Sequence, residues 1–472
     1  MSAPLVWIGL PLLVGGILFL LRGYHLATSL IGGLLSALLS ISAWLLPIGE
    51  VITLGTRVFK ISERFSILGR DFILMNTDRA WLLLIYFFLS LWVFGSLFAR
   101  AHNGFVPFGF IFSSLLVAAL AVEPFLYAAL LIEIAVLLAV PFLSPPEQQP
   151  GSGIYRFLAF QSLGMPFILL AGWFLAGLEA SPGESELVLR AGALIGFGLA
   201  FLLSVVPFHS WIPTLIEESE PYITAFILFI LPAFVAVFGL GFLDRFVWLR
   251  DSESVYTGLR LVGGLMILVG GGWAAMERHL GRMLGYGMII EIGISLLAVG
   301  IGGREGVLLF FWLMFARVFS MMPWAAAISY LWEANHGDLD LDSLRGIGHR
   351  FPFASGILMI GGLSLAGIPL LAGFSARFAF WRAISGAAPL LSLLALAGNA
   401  GLVIASLRVL FSLFISFPDQ VLEDASERSG NAAFSWLFVS LLAIFLAVVG
   451  FFPQIYLPSL ERLLFIFERL GA

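Results

Sequence analysis

Several ionisable residues lie inside runs that are otherwise apolar, and they are the residues whose types and spacing could do chemistry. Glu133 has nine uncharged residues before it and thirteen after it, and Glu291 stands nine residues beyond Arg282. Arg317 lies between Gly306 and Glu333, and Arg377 follows Pro369 by eight residues. Glu123 and Arg408 also fall within or beside apolar runs, and His209 sits between Pro207 and Pro213. An ionisable side chain at the centre of a bilayer costs several kcal/mol unless it is paired or hydrated, so each of these needs a partner or a task. For Glu133 and Glu291 the task would be to bind and release a proton, poised between burial and a nearby cation; the alternative is a structural ion pair to an arginine such as Arg317 or Arg377. Arg317 and Arg377 read as charge-balancing partners rather than proton carriers, because a guanidinium hardly releases its proton. His209 titrates close to physiological pH and lies where two prolines free backbone groups, so it reads as a proton relay, a gate or a hydrogen-bonded structural histidine. Glu217, Glu218 and Glu220 follow it and read as an acidic connecting loop.

The elements that must position these residues are set by composition. Of 472 residues 60% are apolar and 11% charged, with a mean hydropathy of +1.04. Soluble domains run at roughly 45–50% apolar and about 25% charged, so a water-facing surface cannot be covered and a soluble globular enzyme is excluded. The apolar residues suffice for about fourteen bilayer spans of about 20 residues each. A net charge of −5 without a basic block excludes nucleic acid as a partner. The absence of cysteine excludes disulfides, thiolate metal sites and iron–sulfur ligation, and no His/Asp/Glu cluster has metal-ligand spacing. Among the 24 Lys and Arg residues only Lys60 is a lysine. Lysine loses its proton readily when buried and arginine does not, so a mechanism built on buried lysines has no residues to use.

The chain reads as an all-α, multi-pass membrane protein of about fourteen transmembrane helices. Residues 1–98 hold spans near 4–22, 24–46 and 79–98, separated by the long polar connection 47–78. The first span lacks a basic leader and a small-residue cleavage site, and it reads as retained rather than as a signal peptide. Residues 104–243 hold spans near 104–122, 123–143, 154–177, 188–206 and 222–243; residues 258–415 hold 258–275, 283–301, 307–332, 353–383 and 389–415. A last span near 434–456 and a short amphipathic, interfacial tail fill residues 434–472. The glycine run Gly270-Gly271-Gly272 lies within an apolar span and reads as close helix packing, not as a phosphate loop.

An internal repeat organises the middle of the chain. Leu131-Ile132-Glu133-Ile134-Ala135 matches Ile289-Ile290-Glu291-Ile292-Gly293, and each is followed shortly by Leu-Leu-Ala-Val. Glu133 precedes Pro207 by 74 residues, and Glu291 precedes Pro369 by 78. Two five-helix units, each with an acidic second helix and a proline-broken fourth helix, account for this spacing. An odd number of helices makes the second unit inverted relative to the first, an arrangement that places broken helices and polar sites near the midplane.

Four segments together resemble a known family. Pro207-Phe208-His209-Ser210-Trp211-Ile212-Pro213 is similar to the PFHTWLP signature of the antiporter-like membrane subunits of complex I (NADH:quinone oxidoreductase subunits N, M and L) and of the related Mrp antiporters. Glu133 occupies that family's fifth-helix glutamate position. Arg282 through Glu291 resembles its KRLLAYSSISH segment, and Gly367 through Phe378 resembles GLPPFAGFFGKF. The resemblance covers roughly residues 79–415, and a cation in the twelfth helix looks most like subunit N. It implies proton translocation coupled to quinone reduction on neighbouring subunits, no cofactor bound by this chain, NADH and quinone chemistry on partner subunits, and a multi-pass location in a bacterial inner (plasma) membrane. The departures are specific: Leu202 stands where the family carries a lysine seven residues before its histidine, and the eighth-helix lysine falls near Ala236 or Val237. Glu291 replaces a tenth-helix histidine and Arg377 a twelfth-helix lysine. The preferred reading is a proton-translocating subunit with a modified path through Glu133, His209 and Glu291, with Arg377 and Arg317 as its fixed charges. The alternatives are a degenerate, non-conducting scaffold and an Mrp-type cation/proton antiporter subunit.

Overall fold

In a computed structural model, which describes residues 2–54, 57–67, 69–144, 150–180, 185–415 and 432–470, the chain is a bundle of helices. A π-helical turn, Leu5–Gly9, leads into α1 (Leu10–Leu20), followed by α2 (His25–Leu45), α3 (Arg79–Ala99), α4 (Phe105–Ala121) and α5 (Ala128–Leu143). Next come α6 (Ser152–Ala180), α7 (Ser185–Leu202), α8 (Trp211–Glu218), α9 (Pro221–Arg245) and the short α10 (Val247–Arg250). The second half holds α11 (Glu253–Met276), α12 (Leu280–Ile301), α13 (Gly303–Ala334), the short α14 (Ile347–Arg350), α15 (Pro352–Leu365), α16 (Ala372–Ala387) and α17 (Pro389–Phe414). The chain then passes through α18 (Ala432–Phe451) and α19 (Leu457–Glu461). Among the described residues nine helical segments are long and apolar enough to cross a bilayer; four shorter apolar helices, Leu5–Leu20, Phe105–Ala121, Pro352–Leu365 and Val439–Phe451, accompany them.

Both expected helix breaks are present. The span around 188–206 stops at Leu202, the chain turns through residues 203–210, and α8 resumes at Trp211. The span around 353–383 stops at Leu365, and α16 resumes at Ala372. Proline supplies no N–H to the helix, so Pro207 and Pro369 fall between segments rather than inside them. By contrast Pro221, Pro352 and Pro389 stand at the first turn of α9, α15 and α17, where the missing N–H has no helical partner to lose.

Helices α9 and α12 are buried on nearly every side, whereas α2, α5, α6, α11 and α17 each keep a broad exposed apolar face. All-round burial marks α9 and α12 as the central pair, and a one-sided apolar surface is what a helix facing lipid needs. The outer helices reach the centre through small residues. Gly263 of α11 lies against Gly293 of α12, and Gly271 of α11 lies against Gly398 and Gly401 of α17, so that a Cβ at any of these positions would collide with the opposing backbone. Such contacts let helix backbones approach without a hydrophobic driving force between them. At the other end of the bundle, aromatic rings of α3, α4 and α9 interlock. Trp92 and Tyr222 have ring centroids 4.9 Å apart, and the Tyr222 hydroxyl donates to the Trp92 carbonyl at 2.7 Å.

The polar connection has a structure of its own, and the expected helical tail needs correction. The polar connection 47–78 is largely β-structure: Val51–Leu54 pairs antiparallel with Arg57–Lys60, and Arg64–Ile67 pairs with Arg70–Ile73, to which Val122–Glu123 adds a short third strand. The tail is not a single interfacial helix. After α19 it turns through a 3-10 segment, Arg462–Ile466, buries Leu460, Leu463, Leu464 and Phe467, and presents the N–H groups of Glu468, Arg469 and Leu470 to the Asp244 carboxylate at 2.8–3.1 Å.

The glycine contacts generate a direct test. Gly398→Leu forces α11 and α17 apart and is expected to destabilise the fold by about 1–3 kcal/mol, the usual cost of overpacking. The measurement is the thermal unfolding midpoint in detergent, with Gly272→Leu, whose Cβ meets open space, as the control expected to leave it unchanged.

Candidate functional site: a buried glutamate–arginine centre and a separate carboxylate

In the second half three helices bring opposite charges together. Glu291 lies roughly three turns from either end of α12, too deep to reach water by extending its side chain. Arg317 comes from the middle of α13, and Arg377 from the second turn of α16, just past the break. Arg317 Nε donates to Glu291 Oε2 at 2.8 Å, and its Nη2 donates to the Glu291 carbonyl at 2.8 Å and to Ser295 Oγ at 2.6 Å. Arg377 Nη2 donates to Glu291 Oε1, and its Nη1 donates to Asn399 Oδ1 of α17 at 2.6 Å. The three charged residues are each 3% exposed.

The break between α15 and α16 exists for this geometry. Gly367 adopts a φ of +78°, and a Cβ there would meet the Arg377 Cδ at 2.5 Å, so the turn both needs glycine and leaves the arginine its channel. Ser364 closes the turn, bonding Ser320 Oγ at 2.7 Å and accepting the Gly373 N–H at 3.2 Å.

The first half is built differently. Glu133 of α5 accepts a hydrogen bond at Oε1 from Ser162 Oγ of α6 at 2.6 Å, while its Oε2 is buried and has no hydrogen-bond partner. The adjoining Gln161 donates from Nε2 to the Leu202 carbonyl and to Ser204 Oγ, both at 3.3 Å, satisfying the end of α7 where the helix stops. His209 lies in that break with Nδ1 buried and unpartnered. The Leu202 side chain is buried against Gly164. In both halves, then, the third helix of the set supplies the partner of the glutamate: a serine hydroxyl for Glu133, a guanidinium for Glu291.

The structure therefore brings Glu291, Arg317 and Arg377 together and leaves Glu133 and His209 in the other half. Among the described residues no hydrogen bond or ion pair joins the two sets, and no group of His, Asp or Glu residues is placed to hold a metal ion. Two further candidates are peripheral: Glu123 pairs with Arg245 at 2.8 Å at the end of α9, and Arg408 caps α11 by donating to the carbonyls of Ala275 and Glu277. Ser162, Gln161, Ser295 and Asn399 complete the sites and were not singled out from sequence, because a neutral polar residue in an apolar helix carries no penalty large enough to draw notice.

The acidic run after the first break is a set of three ties rather than a solvated loop. Glu217 pairs with Arg282 of α12 at 2.6 Å; Glu218 accepts the Gly153 N–H at 2.6 Å and Ser152 Oγ at 3.0 Å at the start of α6; Glu220 accepts the His102 N–H at 3.0 Å. A carboxylate at a helix N-terminus also meets the positive end of the helix dipole. Burial pushes the Glu220 carboxyl up to about 7, Glu333 adding to the shift and the His102 N–H opposing it.

With this geometry in hand, the chain can be compared with known proteins. Residues 175–404 match the transmembrane family described as NADH:quinone oxidoreductase/Mrp antiporter. The chain is 28% identical over 325 residues to NADH-quinone oxidoreductase subunit N of Rhodococcus opacus, covering 65% of this chain and 58% of that protein. Against the subunit N of Geotalea uraniireducens it is 29% identical over 314 residues, 61% of this chain and 62% of that protein. The chain thus spans about three fifths of the length of these curated relatives. Two solved structures share the fold of this chain: a chain of respiratory complex I from Thermus thermophilus (TM-score 0.76, 21% identity, 99% of both chains) and one of the Mrp complex from Dietzia (TM-score 0.76, 16% identity, 98% and 96%).

Two outcomes follow. Glu291→Gln leaves two buried guanidinium groups without a counter-charge and is expected to destabilise by about 3–5 kcal/mol, read as a large fall in the unfolding midpoint; Ser295→Ala, which removes one neutral partner, should cost far less. For Glu220 the folded carboxyl titrates near 7 against about 4.3 when unfolded. The folded state then holds the extra proton between those values, so stability falls as pH rises through that window and is level above it. Unfolding midpoints measured from pH 4.5 to 7.5 should show that slope, and Glu220→Gln should flatten it.

Proposed function

We propose that this chain is a subunit-N-type, proton-handling membrane subunit of a complex-I-like assembly, in which Glu133 is the exchanging carboxylate and the Glu291–Arg317–Arg377 centre is a fixed charge. The observation that carries the reading is the contrast between the two glutamates. Both oxygens of Glu291 are held by guanidinium donors, so taking up a proton there requires an ion pair to be broken in a dry site. Glu133 has one oxygen on a neutral hydroxyl and the other buried without a partner, which leaves a position for a proton or a water. His209, with its own free nitrogen in the adjoining break, is the relay assigned to that half. Arg317 and Arg377 balance charge and orient the second half.

On this reading the chain crosses the bacterial inner membrane about fourteen times, with residues 104–243 and 258–415 as inverted five-helix repeats. The element order supports it, since each set carries its glutamate on the second helix and its break in the fourth. Other membrane subunits of the assembly are its partners, NADH and quinone chemistry belongs to them, and this chain binds no cofactor. The names of the relatives and the two shared folds support that placement.

A second reading, a scaffold that conducts nothing, is favoured by one observation: Leu202 and both Ala236 and Val237, where the resemblance calls for lysines, are apolar. The deciding experiment is proton flux into liposomes bearing the chain with its co-isolating subunits. Glu133→Gln is expected to lower the flux at least about tenfold, a change worth about 1.4 kcal/mol or more, while Glu123→Gln leaves it unaltered. Flux equal in wild type and Glu133→Gln would favour the scaffold.

A further inference from the structure

Between the two halves lies a crevice of about 320 Å³. Its walls come from Gly196 and Leu203 of the α7 side, Ala236 of α9 and Gly258 of α11, and its inner end is lined by Ser295 and Arg317. At its rim Gly196 and Ser254 are exposed. The outer faces of α7 and α11 beside it carry Phe197, Leu261 and Leu265, all more than 45% exposed. The crevice therefore opens onto an apolar surface of the kind that faces lipid. A Cβ at Gly196 or Gly258 would meet nothing within 4 Å, so these glycines hold the space open.

Three features of the inner end define what fits. Arg317 is 3% exposed and lines the crevice. Its hydrogen bonds among the described residues run from Nε and Nη2, leaving the two N–H bonds of Nη1 without an acceptor. The centre it belongs to sets two guanidinium groups against one carboxylate, a surplus of one positive charge among side chains that are each 3% exposed. A buried charge without a counter-charge is costly. Water does not fill the crevice well, because an ordered water needs two to four polar partners and, beyond Ser295 and Arg317 at the inner end and Ser254 at the rim, the side chains lining it are apolar.

We propose that the crevice binds a long-chain carboxylate amphiphile, a fatty acid, with its carboxylate on Arg317 Nη1 and its hydrocarbon chain along α7, α9 and α11. Charge complementarity selects the head: one anion neutralises the surplus and takes up the free donors. The apolar walls and the lateral opening select the tail and give it a route from the bilayer. A neutral chain of the same length fills the walls and leaves the charge surplus in place. An intact phospholipid, whose phosphate stays at the membrane surface, does the same. The site stands apart from the Glu133 reading, and its test involves no ion flux.

The test uses the full chain in nanodiscs of phosphatidylcholine with radiolabelled palmitate as the probe. Saturable binding is expected, displaced by unlabelled palmitate but not by methyl palmitate or added phosphatidylglycerol. Gly258→Phe and Ala236→Phe should each weaken it by about tenfold or more, which is about 1.4 kcal/mol, with unfolding midpoints kept near that of the parent. Displacement by methyl palmitate as effective as by palmitate, an absence of saturable binding, or full-strength binding in both folded phenylalanine variants would overturn the proposal. Where neither variant folds, the comparison of acid with ester decides alone.

Discussion

A guanidinium cannot shed its charge to enter hydrocarbon, and two of them meet in the interior of this bundle. That constraint reaches through most of the second half. It requires a carboxylate on the helix between them, which is Glu291, and a further acceptor for Arg377, which is Asn399 on α17. It requires the chain to leave helical geometry at residues 366–371 so that Arg377 can enter beside Gly367. It also explains why α12 is enclosed on nearly every side, since a partly exposed α12 would place the ion cluster against lipid. Helix packing follows from the same need, with glycines drawing α11 against both α12 and α17.

The two halves answer one architectural question with different chemistry. Each presents a glutamate from its second helix and a partner from its third. In one half the partner is Ser162, a weak neutral donor that leaves the carboxylate free on one side; in the other it is Arg317, reinforced by Arg377, and both carboxylate oxygens are held. Among the described residues the one hydrogen-bond partner of the Glu133 carboxylate is neutral. The crevice beside Ala236 and Leu203 is lined almost wholly by methyl groups and glycine hydrogens.

Much of this was legible in the sequence because charge in an apolar run is conspicuous. The positions of Glu133, Glu291, Arg317 and Arg377, the two breaks, and the membrane class all rest on penalties of several kcal/mol, which leave few alternatives. The pairing was not legible. Whether the arginines serve Glu133 or Glu291 depends on helix rotation and on which elements become neighbours, and span patterning constrains neither. Ser162 and Asn399 were invisible for the opposite reason, since a serine or asparagine in a membrane helix is tolerated with or without a partner. The hairpins of residues 51–73 consist of four-residue strands, too short for an alternation of period two to stand out from a polar connection.

The ion cluster also bears on how the molecule is made. Glu291 is followed by Arg317 after 26 residues and by Arg377 after 86. At ordinary synthesis rates of about 5–20 residues per second, α12 waits about 4–17 s for its second arginine to leave the ribosome. During that interval the helix that ends up most enclosed is the one least fit to stand alone in lipid. The cluster can therefore close only late in synthesis, once α13 and then α16 have been made.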